Sequence, residues 1–194
     1  IISFPRNRGL AVAFTAGINA CLKNGADFIV NTDADNQYAG TDVVKLLRPL
    51  LSGEAEISIG DRNISSLRHL PFIRRALQHL GSWVVRQVSN TTVPDTTSGF
   101  RAYTKEAALQ MTIVSEFSYT LESIIQSGKK RMAIAHVPVA TNPKMRESRL
   151  FDSTVSYIKK STATIIRVYA MYEPLKIFTY IGGVVFSTGF LISL

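Results

Sequence analysis

Phe28-Ile29-Val30-Asn31-Thr32-Asp33-Ala34-Asp35-Asn36-Gln37 is the stretch that decides the fold and the chemistry. Its first residues are a short apolar run, the pattern of a strand covered on both faces. Its last residues set two carboxylates and two amides at the mouth of that strand. Strand side chains alternate faces, so an extended chain would point Asp33, Asp35 and Gln37 the same way. Three hard oxygen ligands on one side suit Mg²⁺ or Mn²⁺ carrying a phosphate-bearing substrate.

Outward from this stretch the pattern is that of an α/β sheet. Before it, Leu10 to Asn24 has apolar residues at helical spacing (Leu10, Phe14, Ile18, Cys21, Leu22), and Asn24-Gly25 stops the helix. After it, Thr41-Asp42 caps a helix running to about Leu51, and Glu56 to Gly60 reads as a second short strand. Helix, buried strand, helix, strand places helices on both faces of one sheet. Further on, Ser65 to Arg86 is basic, Pro94 to Phe100 is a polar loop, Tyr119 to Gln126 is a helix and Met132 to Val139 a strand. Asn142 to Arg149 is a basic loop. At the other end, Ile1 to Phe4 reads as a strand taken up in mid-fold, with the expectation that preceding chain belongs to the same domain.

Over 194 residues, 22 Lys and Arg stand against 14 Asp and Glu, a net charge of +8 that calls for an anionic partner. The single Cys21 excludes an intramolecular disulfide framework, and its place in an apolar helical pattern suits packing rather than reactivity. His69, His79 and His136 have no metal-ligand spacing.

The C-terminal end departs from the soluble pattern. From Asp152 to Tyr172 an apolar stripe (Val155, Ile158, Ile165, Tyr169, Tyr172) lies opposite Lys159, Lys160 and Arg167. Such a helix suits a bilayer interface, or it packs on the domain. Glu173-Pro174 breaks it. Ile177 to Leu194 then carries no charge, and at about 1.5 Å per residue it covers about 27 Å, near the thickness of a hydrocarbon core. The cations on its N-terminal side place the preceding domain on the cytoplasmic face. With a membrane so close, anionic lipid is a simpler partner for the positive charge than nucleic acid.

Three chemistries fit Asp33-Ala34-Asp35. A calcium loop needs Gly at its sixth position and Glu at its twelfth; those are Tyr38 and Val44, so calcium is excluded. A phosphotransferase resembling the haloacid dehalogenases would use Asp33 as nucleophile, but Gln37 stands where Thr or Val is wanted. A nucleotide-sugar transferase would use the metal to neutralise its diphosphate leaving group. A non-catalytic membrane scaffold is the remaining class.

Asn7-Arg8-Gly9-Leu10 with Ala13 and Gly17, Ala26-Asp27, and Asp33 to Gln37 resemble the central block of family 2 glycosyltransferases. Gly60-Asp61-Arg62, Asp95 to Arg101, Arg146-Glu147-Ser148-Arg149 and Pro174-Leu175-Lys176 follow in the order of its polyprenyl-phosphate group, which includes dolichol-phosphate mannosyltransferase. The resemblance implies a GT-A fold, a Rossmann-like sheet with helices on both faces, over residues 1–150. An interfacial helix at 151–174 and the start of a membrane region at 175–194 would follow. It implies inverting, metal-dependent transfer of a hexose from a GDP- or UDP-sugar to a dolichyl or undecaprenyl phosphate. Self-association into a homo-oligomer stays open. The family's base-binding strand falls before Ile1, so donor choice is not readable and these residues alone are expected to be inactive.

Residue by residue, the resemblance implies that Asp33 and Ala34 face the nucleotide. Asp35 and Gln37 ligate Mg²⁺ or Mn²⁺, joined by Asp33. Arg62, Arg74, Arg101 and either Arg146 or Arg149 meet substrate phosphates; an arginine fork bonds phosphate oxygens in pairs. Asp95 is either a general base or an orienting group for the arginines. A phosphate nucleophile, already ionised near neutral pH, needs little help from a base. Two departures stand out. Asn36 and Tyr38 occupy positions where the family usually has Gly and His, and Asp61 stands where it often has Ser.

Overall fold

The computed structural model describes residues 1–63, 72–115, 118–142 and 154–193. Four strands form one mixed sheet in the order β1-β3-β2-β4: β1 Phe28–Asn31, β2 Ile57–Asp61, β3 Arg101–Thr104 and β4 Ile134–Pro138. β3 runs antiparallel between β1 and β2, pairing Asn31 with Arg101 and Ile57 with Tyr103. β2 and β4 are parallel, Ile57 beside Ile134 and Asp61 beside Pro138. Parallel strands put the ends of β1, β2 and β4, with the chain that follows each, on one edge, where α/β proteins place their sites.

Alternation along the strands divides the core. Ile29, Ile57, Ile59 and Tyr103 face α1 (Leu10–Lys23), α3 (Phe72–Ser89) and α5 (Tyr119–Lys129), which contribute Phe14, Ile18, Val85, Ile124 and Ile125. Val30, Ala102 and Val137 face α2 (Val43–Leu51), which contributes Leu46 and Leu50. The expected α/β sheet with helices on both faces is therefore present. α3 and α5 lie so close that a Cβ on Gly128 would overlap the carbonyl oxygen of Ser89.

Other expectations need correcting. Residues 1–4 form no strand. β3 and the short α4 (Lys105–Gln110) had no forecast. β3 is too brief for a period to show, and it opens on a charged residue. Cys21 is half-buried against the core.

α6 (Thr154–Tyr172) packs on α5 through Ser161, Thr164 and Val168, with Ile165 and Tyr172 joining the core. The apolar stripe is thus split: Ile158 faces outward with Ile166 and Met171, among exposed Lys159, Lys160 and Arg167. α7 (Pro174–Ser193) is one helix long and apolar enough to cross a membrane, with mean hydropathy 1.6 and none of it buried. Glu173 joins it to the domain by ion pairs with Lys129 of α5 (2.8 Å) and Lys176 (3.3 Å).

Candidate active site

β1 ends at Asn31, and residues 34–36 turn rather than extend, with Asn36 in the left-handed region at φ 58°. Asn tolerates that conformation. The shared strand face expected for Asp33, Asp35 and Gln37 is therefore not how they are arranged. Asp35 accepts the Gln37 amide through Oδ1 at 3.0 Å, closing the turn on itself. The Gln37 carbonyl accepts the Asn142 amide at 2.9 Å, and the Asn142 side chain donates to the Asn36 carbonyl at 2.9 Å. The chain leaving β4 thus fastens this turn. Ala34 is exposed at its tip.

Asp33 lies against Gly99. A Cβ at Gly99 would sit 2.5 Å from its Oδ2 and 2.8 Å from its Oδ1, so only glycine leaves this carboxylate its place. Gly99 is itself held by Asn31, whose amide donates to the Gly99 carbonyl at 2.7 Å and to the Tyr119 hydroxyl at 2.6 Å. Burial and the charge of Asp35 raise the Asp33 carboxyl above the ordinary carboxylate value, against the pull of Arg62 and Arg101. The pair is short of positive charge. Among the described residues no three carboxylate, imidazole or thiol side chains gather as a metal-binding cluster. Mg²⁺ and Mn²⁺ accept such a donor set when substrate phosphates and water complete the shell. The residues fit a divalent ion carried in with a phosphate ligand.

The Asp95 loop is built differently. Asp95 is 1% exposed and takes two bonds from Arg62, Nε to Oδ2 at 2.6 Å and Nη2 to Oδ1 at 2.9 Å. Thr97 completes the clamp, its hydroxyl donating to Asp95 Oδ1 at 3.0 Å and accepting from Arg62 Nη2 at 2.7 Å. Burial alone would raise the Asp95 carboxyl; Arg62 and Thr97 outweigh it and hold the group below its ordinary value. Arg62 is raised in turn and stays charged. Its Nη1 has no partner among the described residues.

Arg101, expected at the substrate, is a structural residue. It is 1% exposed, and its guanidinium donates to the carbonyls of Thr96, Ser98 and Thr120 and to the Ser123 hydroxyl. A buried guanidinium needs such acceptors, and here they shape the loop from Thr96 to Ser98. Glu122 is also buried and structural, accepting the amides of Val114 and Ser115. Arg74 lies on α3, its side chain outside the described residues, as are Arg146, Arg149 and His69. Tyr38 stacks on Phe100 with ring centroids 4.9 Å apart and reaches to 3.5 Å from the Ser98 hydroxyl, bracing the two loops. Asn31, Tyr119 and Thr97 had not been singled out. The only signal was for Asn31, an amide closing an apolar strand just before the acidic pair.

Residues 1–111 match the model of glycosyl transferase family 2. The chain belongs to that family. It is 28% identical over 149 residues to the UDP-N-acetylglucosamine–dolichyl-phosphate N-acetylglucosaminyltransferase of Methanococcus voltae, covering 72% of this chain and 58% of that protein. It is 24% identical over 154 residues to the undecaprenyl-phosphate mannosyltransferase of Micrococcus luteus, covering 76% of this chain and 63% of that one. Its fold is similar to that of glucosyl-3-phosphoglycerate synthase from Mycobacterium tuberculosis, solved in complex with Mn²⁺ and UDP-glucose. The TM-score is 0.57 at 17% identity over 87% of this chain and 56% of that one. The fold is the GT-A fold. The chain spans about three-fifths of the length of these two curated relatives.

Proposed function

We propose that this family 2 chain carries the metal and acceptor side of an inverting transferase. It moves a hexose from a nucleoside-diphosphate donor to a polyprenyl phosphate at the cytoplasmic membrane face. The observation that carries the reading is the pairing of unlike carboxylates on one sheet edge. Asp33 and Asp35 repel each other and call for a cation, while Asp95 is spent on holding Arg62.

Asp33, Asp35 and Gln37 would hold Mg²⁺ or Mn²⁺, which supplies charge neutralisation to a departing diphosphate. Arg62 presents its remaining Nη1 to an acceptor phosphate, fixed in direction by Asp95 and Thr97. Arg74 and Arg146 or Arg149 are further candidates for the same phosphate. Asp95 is the wrong group for a base: both oxygens are occupied, and Arg62 lowers its proton affinity. A phosphate monoester is largely ionised at neutral pH and attacks the donor carbon without one.

A lipid acceptor is supported from the other end of the chain. α7 has the length and apolarity of a span, and α6 turns Ile158, Ile166 and Met171 outward among three cations. α3 exposes Leu80 and Trp83. In the full-length protein, Asp35→Ala is expected to abolish transfer from UDP- or GDP-sugars to polyprenyl phosphate while membrane association persists. Turnover that survives the change overturns the metal role.

A further inference from the structure

At the opposite edge of the sheet, where β4 begins, a cleft of about 500 Å³ opens among Thr91, Thr92, Lys129, Arg131, Ile134 and Glu173. Five residues of parallel strand, at about 3.3 Å each, separate it from the edge that carries the site. None of these residues takes part in the chemistry proposed above.

Arg131 is the anomaly. It sits at φ 57°, in the left-handed region, at the point where α5 ends. Three backbone bonds lock it there: Lys130 to Gln126, Arg131 to Gly128 and Met132 to Ser127. Glycine is the usual residue after a helix C-terminus, because a Cβ in this conformation is strained. A long cation at such a position, exposed and with no partner for its guanidinium among the described residues, needs a reason outside the fold. Lys129 beside it is oriented from two sides, by Glu173 and by the Tyr169 ring 5.2 Å away.

Glu173 fixes what the cleft meets. It lines the cleft and immediately precedes α7, so a span beginning at Pro174 sets the cleft at headgroup depth. In the lining, Lys129 and Arg131 against Glu173 leave an excess of positive charge, and the Thr91 and Thr92 hydroxyls add neutral donors. Lys176 on α7 pairs with the same Glu173. We infer that this cleft binds the phosphate of an anionic phospholipid headgroup, with Arg131 as its principal cation. The inference rests on α7 being a membrane span, and on nothing about sugar transfer.

The test uses the full-length protein in nanodiscs of phosphatidylcholine doped with a photoactivatable phosphatidylglycerol, with labelled peptides mapped by mass spectrometry. Labelling is expected to concentrate on the segments around Thr91 and Arg131. Arg131→Gly should cut it about fivefold, the worth of one basic residue beside an anionic surface. The same variant should melt no lower than the native chain, since glycine relieves the strained backbone. Labelling unchanged by Arg131→Gly, or a variant of lower melting temperature, overturns the assignment. So does inorganic phosphate that displaces the label at millimolar concentration, which would make the cleft a free-phosphate site. Protein that alkaline carbonate strips from membranes removes the span and this inference together; inserted protein without enrichment removes the inference alone.

Discussion

Asp33, half-buried, and Asp95, buried, lie on one edge of one sheet, yet their carboxyls shift in opposite directions. Burial pushes Asp33 up, and the second carboxylate beside it adds to the shift. Asp95 is clasped by a guanidinium and a hydroxyl and is held down. The fold has given one a bonded counter-charge, while the other feels Arg62 and Arg101 without an ion pair among the described residues. On the proposed reading that contrast separates a group kept for an external cation from a group that aims its neighbour. One is an aspartate after a strand and the other an aspartate between a helix and a strand, at the same sheet edge.

The largest expected effect comes from removing the counter-charge. Arg62→Ala strands a buried carboxylate, which should cost about 3–5 kcal/mol in denaturant unfolding. Adding Asp95→Asn should restore part of that stability but none of the transfer activity. If the single variant is as stable as the native chain, the clamp is not what holds Asp95. On the other side of the comparison, Gly99→Ala drives a methyl into the Asp33 carboxylate. A displacement of this size should lower kcat about 100-fold. The melting temperature should fall little, since the carboxylate can swing toward solvent; full activity would show that the position of Asp33 is irrelevant.

The smallest effect is on the pH dependence of stability, where the two groups have opposite signs. Asp95, depressed in the folded state, stabilises above its unfolded value of about 4 and loses that contribution as pH falls through its lower folded value. Asp33, raised, is a burden at neutral pH that is lifted as pH falls through its folded value toward the unfolded one. Asp95→Asn should therefore flatten the loss of stability below about pH 4, whereas Asp33→Asn should raise stability near neutral pH. Identical profiles for both variants would erase the distinction.

Much of this arrangement was legible beforehand because apolar spacing marks it. α1, α2, α5, β1 and β2 fall within a few residues of their expected bounds, and the acidic pair announced itself as a motif. β3 did not, because its first residue is a buried arginine whose acceptors lie at Thr96, Ser98, Thr120 and Ser123; no local pattern shows partners that distant. The same residue was expected at the substrate, since a charge in a motif loop reads as exposed until its acceptors are known. The turn at 34–36 was hidden for a related reason. Alternation along β1 was carried past Asn31, although Asp35 closes the turn locally on the Gln37 amide; the bonds that fasten it come from Asn142, on a different part of the chain.

Those bonds from Asn142 join two events that the chemistry keeps apart. The turn they fasten carries Asp35 and Gln37, and the chain beyond Asn142 goes on to Arg146 and Arg149. Linkage between two sites is reciprocal. If both groups meet substrate as proposed, a donor that binds first should strengthen the hold on the acceptor, and the acceptor should return the same factor to the donor, which titrating each with and without the other would measure.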